Sequence, residues 1–451
     1  MKLKTLTTAM ILATVPMTGA FAAAMDRSGQ SIAAFLQPGN YFEAGITVLD
    51  PSVSGTTSNS PSLNSPTLGV GTNQATGDMA GDYHSVSAAL KLQLTDNFSF
   101  GLIFDQPFGA EADYRDRSVA FNPTGNDGTR AEVTTENLSF LFGFQPNENW
   151  NIYAGPVYQE AKGNVSLRGT AYNALGTTLA YDADMKKDGA TGWLAGLAFQ
   201  IPEIALKASL TYRSDIEHEL TSRETLAGAD PFAATSNAVF GLTYQGTLAA
   251  LLQAGLDQAT ATSRALAAAQ TAQAGVTPFT EAKTKVTTPQ SVNLDFQTGI
   301  MADTVAFANV RWVDWKGFAI RPAQFGQVLD TLSTLPGQSA LEGGNLVEYN
   351  EEQWSATVGV GRKFNAKWAG NVSVGWDSGA GNPVTTLGPT EGYWNVGVGV
   401  QFSPAPNYFI AGGMKYFWLG DADGLTVANP NVGSFKDNDA IAYGLKMGYR
   451  F

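Results

Sequence analysis

The chain has 451 residues and a formal net charge of −13, with 15% charged and 11% aromatic residues. This acidic balance does not suit the polyanionic backbone of nucleic acid. The absence of cysteine excludes disulfides, thiolate metal ligands and cysteine nucleophiles, and the low share of charge is unusual for a soluble protein.

Residues 1–24 have the pattern of a secretory signal peptide. Lys2 and Lys4 form a short basic start, an apolar stretch follows, and small residues end the segment. This order predicts cleavage after Ala22 or Ala24. The apolar part is too short for a membrane anchor, and no later run of about 20 apolar residues predicts a spanning helix. We therefore expect an exported chain.

Residues 25–39 precede the first predicted strand and are here called the hatch. They include Ile32, Phe35 and Leu36, which are unusual in a solvated tail. We expect this segment to fold inside a larger structure. A disordered leader is the alternative.

Strict alternation of apolar and small or polar residues runs through the rest of the chain. The last segment, 437–451, shows it best, with apolar side chains at every second position from Ile441 to Phe451. This period of two predicts strands with one apolar face. The fourteen predicted strands are about 40–54, 82–94, 97–108, 131–145, 149–165, 180–201, 203–220, 288–301, 304–316, 351–364, 367–378, 391–403, 407–420 and 437–451.

The connections between these strands alternate between tight turns and long loops. An up-and-down barrel that crosses a membrane has this arrangement, with short turns at the periplasmic end and long loops outside. Greek-key sandwiches do not. Aromatic residues eight apart on one face, such as Trp368 and Trp376, match two interfacial girdles. We predict an all-β fold, a 14-stranded antiparallel transmembrane β-barrel over residues 40–451. The last strand is expected to pair with residues 41–48 and so to close the barrel.

The longest loop, 221–287, contains a proline-free stretch rich in alanine, leucine and glutamine over 244–275. This composition predicts a helix. A second loop helix is predicted at 322–335. The apolar side chains of the first helix could form an entry groove outside the cell or could pack onto other loops.

The ordered set of segments described so far resembles the FadL/TodX family of outer-membrane transporters of fatty acids and hydrocarbons. The resemblance spans nearly the whole mature chain and is carried by LDPSVSG (49–55), FDQPFGAEADY (104–114), PEIALKASLTYRS (202–214), TPQSVNLDF (288–296), VRWVDWKGF (310–318) and VEYNEEQWSATVGVGRKFNAKW (347–368).

This resemblance implies uptake of a hydrophobic molecule in the outer membrane of a Gram-negative bacterium. The ligand would land in an outer groove, bind inside the barrel, and leave sideways into the bilayer where strand 3 is kinked. Gly101, Pro107 or Gly109 could make that kink; alternatively, Pro107 and Gly109 simply end the strand. Two features differ from the family: the hatch is short with LQPG in place of an Asn-Pro-Ala-Gly motif, and the loop between strands 5 and 6 is short.

Candidate ligand contacts differ with the ligand. A fatty acid carboxylate would favour an inward cation, and Arg213, Arg311 and Lys316 are the candidates. These charges could equally pair within the lumen. A hydrocarbon would need only apolar residues such as Phe35 and Leu36.

Other functions are less well supported by the sequence. A general diffusion porin for small hydrophilic solutes is the main alternative, and a hydrolase using His218 with its acidic neighbours is a weaker one. We expect no enzyme activity, no metal and no cofactor, because no nucleotide or metal-ligand motif stands out. The expected partners are the lipid bilayer, a fatty acid or hydrocarbon, and the assembly machinery that would read the terminal Phe451. We expect a monomer.

Overall fold

Fourteen antiparallel strands pair in chain order and close into a barrel. The structure is a computed structural model that describes residues 24–58, 73–172, 180–280 and 283–451. Apart from Ala24, the predicted signal peptide therefore lies outside the described residues. The barrel strands, numbered in chain order, are β1 (Tyr41–Ser52), β2 (Tyr83–Gln93), β3 (Phe98–Asp105), β4 (Arg130–Phe144), β5 (Trp150–Leu167), β6 (Tyr181–Ile201), β7 (Leu206–Arg213), β8 (Ser291–Met301), β9 (Thr304–Val313), β10 (Gln353–Lys363), β11 (Trp368–Asp377), β12 (Tyr393–Ala405), β13 (Tyr408–Leu419) and β14 (Asp439–Arg450).

The last strand closes the barrel, as predicted. Its register with β1 runs without interruption from Tyr41–Arg450 to Ser52–Asp439. Lys446 faces the lumen, where its Nζ lies 3.2 Å from Glu43 Oε1. Phe451 stays 56% exposed on the outer face. The chain end is therefore held in the sheet by its neighbour rather than frayed.

The outer face of the barrel carries an apolar band between two rows of aromatic side chains. Trp376 pairs with Trp394, and Trp394 pairs with Trp418, which marks one interface. Trp368 and Phe402 pair at the other, with ring centroids 4.7 Å apart. These girdles confirm the predicted membrane barrel. Among the described residues, no helix is long and apolar enough to cross a membrane.

Within the described parts of the chain, three α-helices lie in the outer loops: α1 (Pro231–Gln253), α2 (Gln258–Ala274) and α3 (Ala323–Ser333). The single helix predicted over 244–275 was wrong, because α1 begins earlier and the segment breaks between α1 and α2. Gly255 has a φ of 87°, and the Asp257 side chain caps α2 by accepting a hydrogen bond from the Thr260 N–H at 3.0 Å. Both features favour ending one helix and starting another. The predicted helix over 322–335 is confirmed as α3.

Two predicted strands end earlier in the wall than the alternation suggested. The wall strand of 97–108 ends at Asp105, and that of 203–220 ends at Arg213. Residues Ile216–Leu220 continue the alternation but pair with Thr284–Thr288 in a separate two-stranded sheet. Alternation records a buried face and does not specify the partner strand.

The outer loops fold over the mouth of the barrel around an apolar core. Members from many loops share it, including the fully buried Trp315 and the α3 residues Phe325 and Leu329. A second apolar cluster deeper in the barrel contains Ile32, Phe35 and Leu36 of the hatch. The hatch therefore lies inside the lumen, between the loop core and the periplasmic half of the barrel.

Candidate functional site

The wall of the barrel has an opening between β2 and the segment that follows β3. Pairing between the two strands stops at Ala88–Phe104 and resumes only at a single bridge between Ala80 and Ala112. Between these points residues 81–87 and 105–111 do not pair with each other, and we call this gap in the ladder the window. On its other side β2 stays paired to β1 as far as Tyr83, so the window is a local opening of one ladder.

The hatch occupies the place that β2 leaves. The Arg27 N–H donates a hydrogen bond to the Pro107 carbonyl at 2.6 Å, and the Gly109 N–H donates one to the Met25 carbonyl at 2.8 Å. Asp26 and Phe108 form an antiparallel bridge between these two bonds. Pro107 has no N–H to give, so its carbonyl is the group that the hatch satisfies.

The segment after β3 turns inward at the window. Even-numbered β3 residues face the lipid, as Phe98 shows with 53% exposure, whereas Phe108 is only 2% exposed. Its ring packs against Trp315 with centroids 5.5 Å apart. Between Asp105 and Gly109 the register with β4 also shifts by one residue, as Asp105–Asn137 and Gly109–Thr134 show. This shift is a β-bulge, which bends the strand.

Of the three predicted kink residues, Pro107 and Gly109 lie in the window and Gly101 does not. Gly101 is paired in register with both Lys91 and Leu141. A Cβ at Gly101 would lie 2.4 Å from Phe35 Cδ2. Gly101 therefore makes room for the hatch rather than bending β3.

The window is partly filled by side chains and leads to a cavity. Gln106 Oε1 accepts a hydrogen bond from the Val86 N–H at 3.1 Å, and Ser28 Oγ donates one to Asp105 Oδ2 at 2.6 Å. Behind them lies a cavity of about 640 Å³, including its open part, lined by Arg27, Ser28, Ser31 and Ala34 of the hatch and by residues of β1, β2 and β3.

Arg311 holds the hatch near the window. Its Nε lies 2.5 Å from Asp26 Oδ2, and its Nη2 donates a hydrogen bond to Gln30 Oε1 at 3.0 Å. Its Nη1 donates to Asn293 Oδ1 at 2.6 Å. All these groups are buried. All three guanidinium nitrogens are therefore engaged by protein groups.

Arg213 also contacts the hatch. Its Nη2 donates a hydrogen bond to the Gln30 carbonyl at 2.8 Å, and the group is 6% exposed. Lys316, the third cation predicted to contact a ligand, lies exposed in the loop after β9. The structure thus brings Arg213 and Arg311 together at the hatch and places Lys316 elsewhere.

Phe35 and Leu36 lie in different surroundings. Phe35 is 1% exposed and packs edge-on against Tyr153 with centroids 5.7 Å apart. Leu36 lines a larger chamber of about 1180 Å³, including its open part, in the periplasmic half of the barrel. The chamber also contains the lysines Lys207, Lys415 and Lys446 and the acids Glu43 and Asp295.

The chamber has more cations than carboxylates that could pair with them. Glu43 pairs with Lys446, and Asp295 accepts a hydrogen bond from Asn309 at 2.8 Å. Lys207 Nζ donates to the Leu36 carbonyl at 2.7 Å. Lys415 makes no ion pair within the part of the chain that is described, so it can offer a positive charge to a ligand.

An aromatic cluster lies on the loop side of the hatch. Trp315 contacts Phe318 and Tyr349 edge-on, with centroids 4.9 and 5.2 Å away, in addition to Phe108. Met25 belongs to the same apolar core. The arrangement places a buried aromatic cluster on the loop side of the segment that fills the window.

His218 serves the loop rather than a reaction. It is fully buried, its Nε2 lies 2.8 Å from Gln159 Oε1, and its Nδ1 lies 3.4 Å from Asp188 Oδ2. Burial lowers the pKa of His218 in spite of Asp188. Its contacts tie the Ile216–Leu220 strand to the inner face of β5. Among the described residues, no group of three or more histidines and acids is placed to hold a metal ion.

The polar residues of the hatch were not predicted from the sequence. Asp26 and Gln30 make the anchoring contacts, and Gln106 bridges the window. A signal was present, because the run DRSGQS in a segment expected to be buried requires polar partners on inward wall positions.

The family model for outer membrane protein transport proteins (OMPP1/FadL/TodX) matches residues 21–451. Among solved structures, the chain is similar to a Pseudomonas aeruginosa FadL homologue, at 13% identity over 99% of this chain and 98% of that one, with a TM-score of 0.65.

The chain is also similar to two toluene transporters. For P. putida TodX the identity is 12% over 97% of this chain and 99% of that one, with a TM-score of 0.58. For Ralstonia pickettii TbuX it is 11% over 98% and 99%, with a TM-score of 0.51. At such identities these likenesses show the fold. A search of curated proteins found no match.

Proposed function

Because the chain belongs to the OMPP1/FadL/TodX family of outer membrane transport proteins, we propose that it takes up hydrophobic molecules by binding them in the barrel and releasing them sideways into the bilayer. Family membership makes it a transport protein of the Gram-negative outer membrane rather than an enzyme. The cargo class and the route are the parts that we propose.

The window is the observation that carries this proposal. It opens one ladder of the wall, and Val86 at its edge is a lipid-facing side chain with 47% exposure. A molecule that passes from the lumen through the window enters acyl chains directly. An apolar molecule gains from this route, because it avoids the hydration that a water-filled channel would impose.

The aromatic cluster on the loop side of the hatch supports an apolar cargo. The buried cluster of Phe108, Trp315 and Tyr349 lies next to the window, and Phe108 belongs to both the cluster and the window. Phe35 is buried against Tyr153 of the wall, whereas Leu36 lines the chamber. We propose the aromatic cluster and Leu36 as ligand contacts, and Arg213 and Arg311 as anchors of the hatch rather than ligand contacts.

We propose long-chain fatty acids or hydrocarbons as the cargo. Two structural relatives are toluene transporters, and a third is a FadL homologue. In this chain a hydrocarbon without charge would suit the aromatic cluster, whereas Lys415 in the chamber could bind the carboxylate of a fatty acid. Mass spectrometry of the ligand retained after gentle purification would identify which class is bound.

Uptake and conductance together test the proposal. Cells or vesicles with the protein should accumulate a radiolabelled apolar solute at a rate independent of salt, and deletion of residues 25–39 should abolish that accumulation. Planar bilayers should show no steady open-pore current and no passage of small sugars. A steady current with sugar passage would instead support a general diffusion porin.

We also propose that the chain acts as a monomer and that the terminal Phe451 serves recognition by the outer-membrane assembly machinery. Phe451 stacks on Tyr449 with centroids 5.8 Å apart and remains exposed at the end of β14. A Phe451→Ala variant should lower the amount of folded barrel in the outer membrane without altering transport per folded molecule.

A further inference from the structure

The two bridges that border the window lie on the same register. Ala88 pairs with Phe104 below the window, and Ala80 pairs with Ala112 above it. The two bridges are eight positions apart on each strand, so the strands part and rejoin without a slip. Because the two segments are equal in length, 81–87 and 105–111 could pair with each other as a continuous antiparallel ladder.

The backbone groups that such a ladder would use are taken by the hatch. The Pro107 carbonyl and the Gly109 N–H point toward the side where β2 would lie, and they bond instead to Arg27 and Met25. The backbone carbonyl of Phe108 points instead toward β4, where it accepts a hydrogen bond from the Thr135 N–H at 3.1 Å. The hatch thus competes with β2 for the backbone groups of Pro107 and Gly109.

The hatch is in turn fixed from elsewhere in the barrel. Asp26 lies between Met25 and Arg27 and is bound by Arg311 of β9. Ser28 bonds to Asp105 at the lower edge of the window. These contacts draw strand 3 into the lumen, where Phe108 reaches Trp315.

We infer that residues 25–28 hold residues 105–111 away from β2, so that the hatch keeps the window open. The hatch is then a positioning element of the lateral opening. When it is released, residues 105–111 return to the wall, pair with 81–87 and close the window. For Phe108 to join Phe98 and Phe104 on the lipid face, the one-residue bulge against β4 also moves beyond Gly109, which the apolar ring of Phe108 allows.

This inference concerns the wall itself and does not depend on what the protein transports. It can be tested with engineered cysteines, because the chain has none of its own. In a closed window His84 would lie directly opposite Phe108. Opposite residues of antiparallel strands lie about 4.5–5.5 Å apart at Cα, which a disulfide can span. In the present structure His84 is exposed outside and Phe108 is buried inside.

The experiment compares disulfide formation in the full-length His84→Cys/Phe108→Cys protein with that in the same protein carrying Arg27→Pro. A mild copper-based oxidant accepts the two electrons from the thiols, whose two protons go to the buffer. Arg27→Pro removes the N–H that donates a hydrogen bond to the Pro107 carbonyl, whereas the matched Arg27→Ala variant keeps this N–H. We expect several-fold more disulfide with Arg27→Pro than with Arg27→Ala or the unaltered hatch.

Two further variants keep the test decisive. Asp26→Ala releases the hatch from Arg311 without a proline and should also raise disulfide formation. Leu90→Cys/Leu102→Cys is a control pair already opposite in the ladder, which should crosslink in every background; resistance of the barrel to detergent before heating reports folding. Equal crosslinking of the 84/108 pair in all backgrounds, or none in both released variants while the control pair crosslinks, would overturn the inference.

Discussion

Asp26 of the hatch and Arg311 of β9 form a buried ion pair, with 2.5 Å between Oδ2 and Nε and side-chain exposures of 7% and 3%. The pair joins residues 285 positions apart in the chain. It fixes the start of the hatch, and through it the segment after β3, relative to the rest of the barrel.

Replacing Arg311 by methionine should loosen the hatch. The substitution leaves Asp26 as an uncompensated buried charge, which costs about 3–5 kcal/mol. Hydrogen exchange of the amides in residues 25–30 should accelerate, because local opening governs that exchange. In the Asp26→Leu/Arg311→Met double variant no charge remains, and exchange should return most of the way to the original rate. Unchanged exchange in Arg311→Met would contradict this account of the anchor.

An alanine at Gly101 should displace Phe35. The new Cβ would lie 2.4 Å from Phe35 Cδ2, and overpacking of this kind costs about 1–3 kcal/mol. Gly412→Ala is the matched control, since its nearest neighbour would be an ordinary 3.7 Å away. We expect faster cleavage of the hatch by protease in Gly101→Ala alone, and recovery when Phe35→Leu is added. Equal cleavage of both alanine variants would show that Gly101 does not shape the hatch site.

Lys415 should distinguish two classes of ligand. Hydrogen bonds to charged groups contribute about 1.5–3 kcal/mol, which corresponds to about tenfold or more in affinity. Lys415→Met should therefore weaken binding of a long-chain carboxylate by about tenfold and leave binding of an alkane of equal length unchanged. Lys367→Met, an exposed lysine in a periplasmic turn, serves as the control. Titration of the purified protein in neutral detergent measures both affinities, and equal loss for the two ligands would exclude a charge contact.

His218 should make the long outer loop sensitive to acid. Burial lowers its pKa in the folded protein below the ordinary value of about 6.5. The unfolded loop then binds a proton more readily, so stability is full above about pH 6.5 and declines as pH falls from there toward the folded pKa. Proteolysis of the 221–287 loop should rise on acidification, and His218→Gln should flatten this dependence. A loop equally acid-sensitive in both proteins would assign the effect to other groups.

The barrel could be predicted from sequence because each wall strand carries its own period of two. Strand ends could not. Ile216, His218 and Leu220 continue the alternation of β7, yet they face a different partner, and period alone does not identify a partner. The break between α1 and α2 was missed for a related reason, since helix propensity is high on both sides of Gly255.

The candidate site could be predicted only in outline. The family resemblance implied an opening at strand 3, and Pro107 and Gly109 do lie in the window. The contacts of the hatch could not be deduced, because Asp26 and Arg311 meet only after the barrel has closed. Gly101 was assigned to the kink for its residue type, whereas its neighbour in space, Phe35, explains the need for glycine.

The most direct test of lateral release is to close the window while leaving the rest of the barrel intact. Val86 and Gln106 already meet across its lower part, so Val86→Cys/Gln106→Cys can be bridged by a short thiol crosslinker. Val358→Cys/Val374→Cys, a lipid-facing pair already opposite in the β10–β11 ladder, is the matched control. We predict that crosslinking abolishes uptake of an apolar solute in the first protein, that a reducible linker restores it on reduction, and that the control keeps full uptake. Undiminished uptake through a window that is fully crosslinked would contradict lateral release.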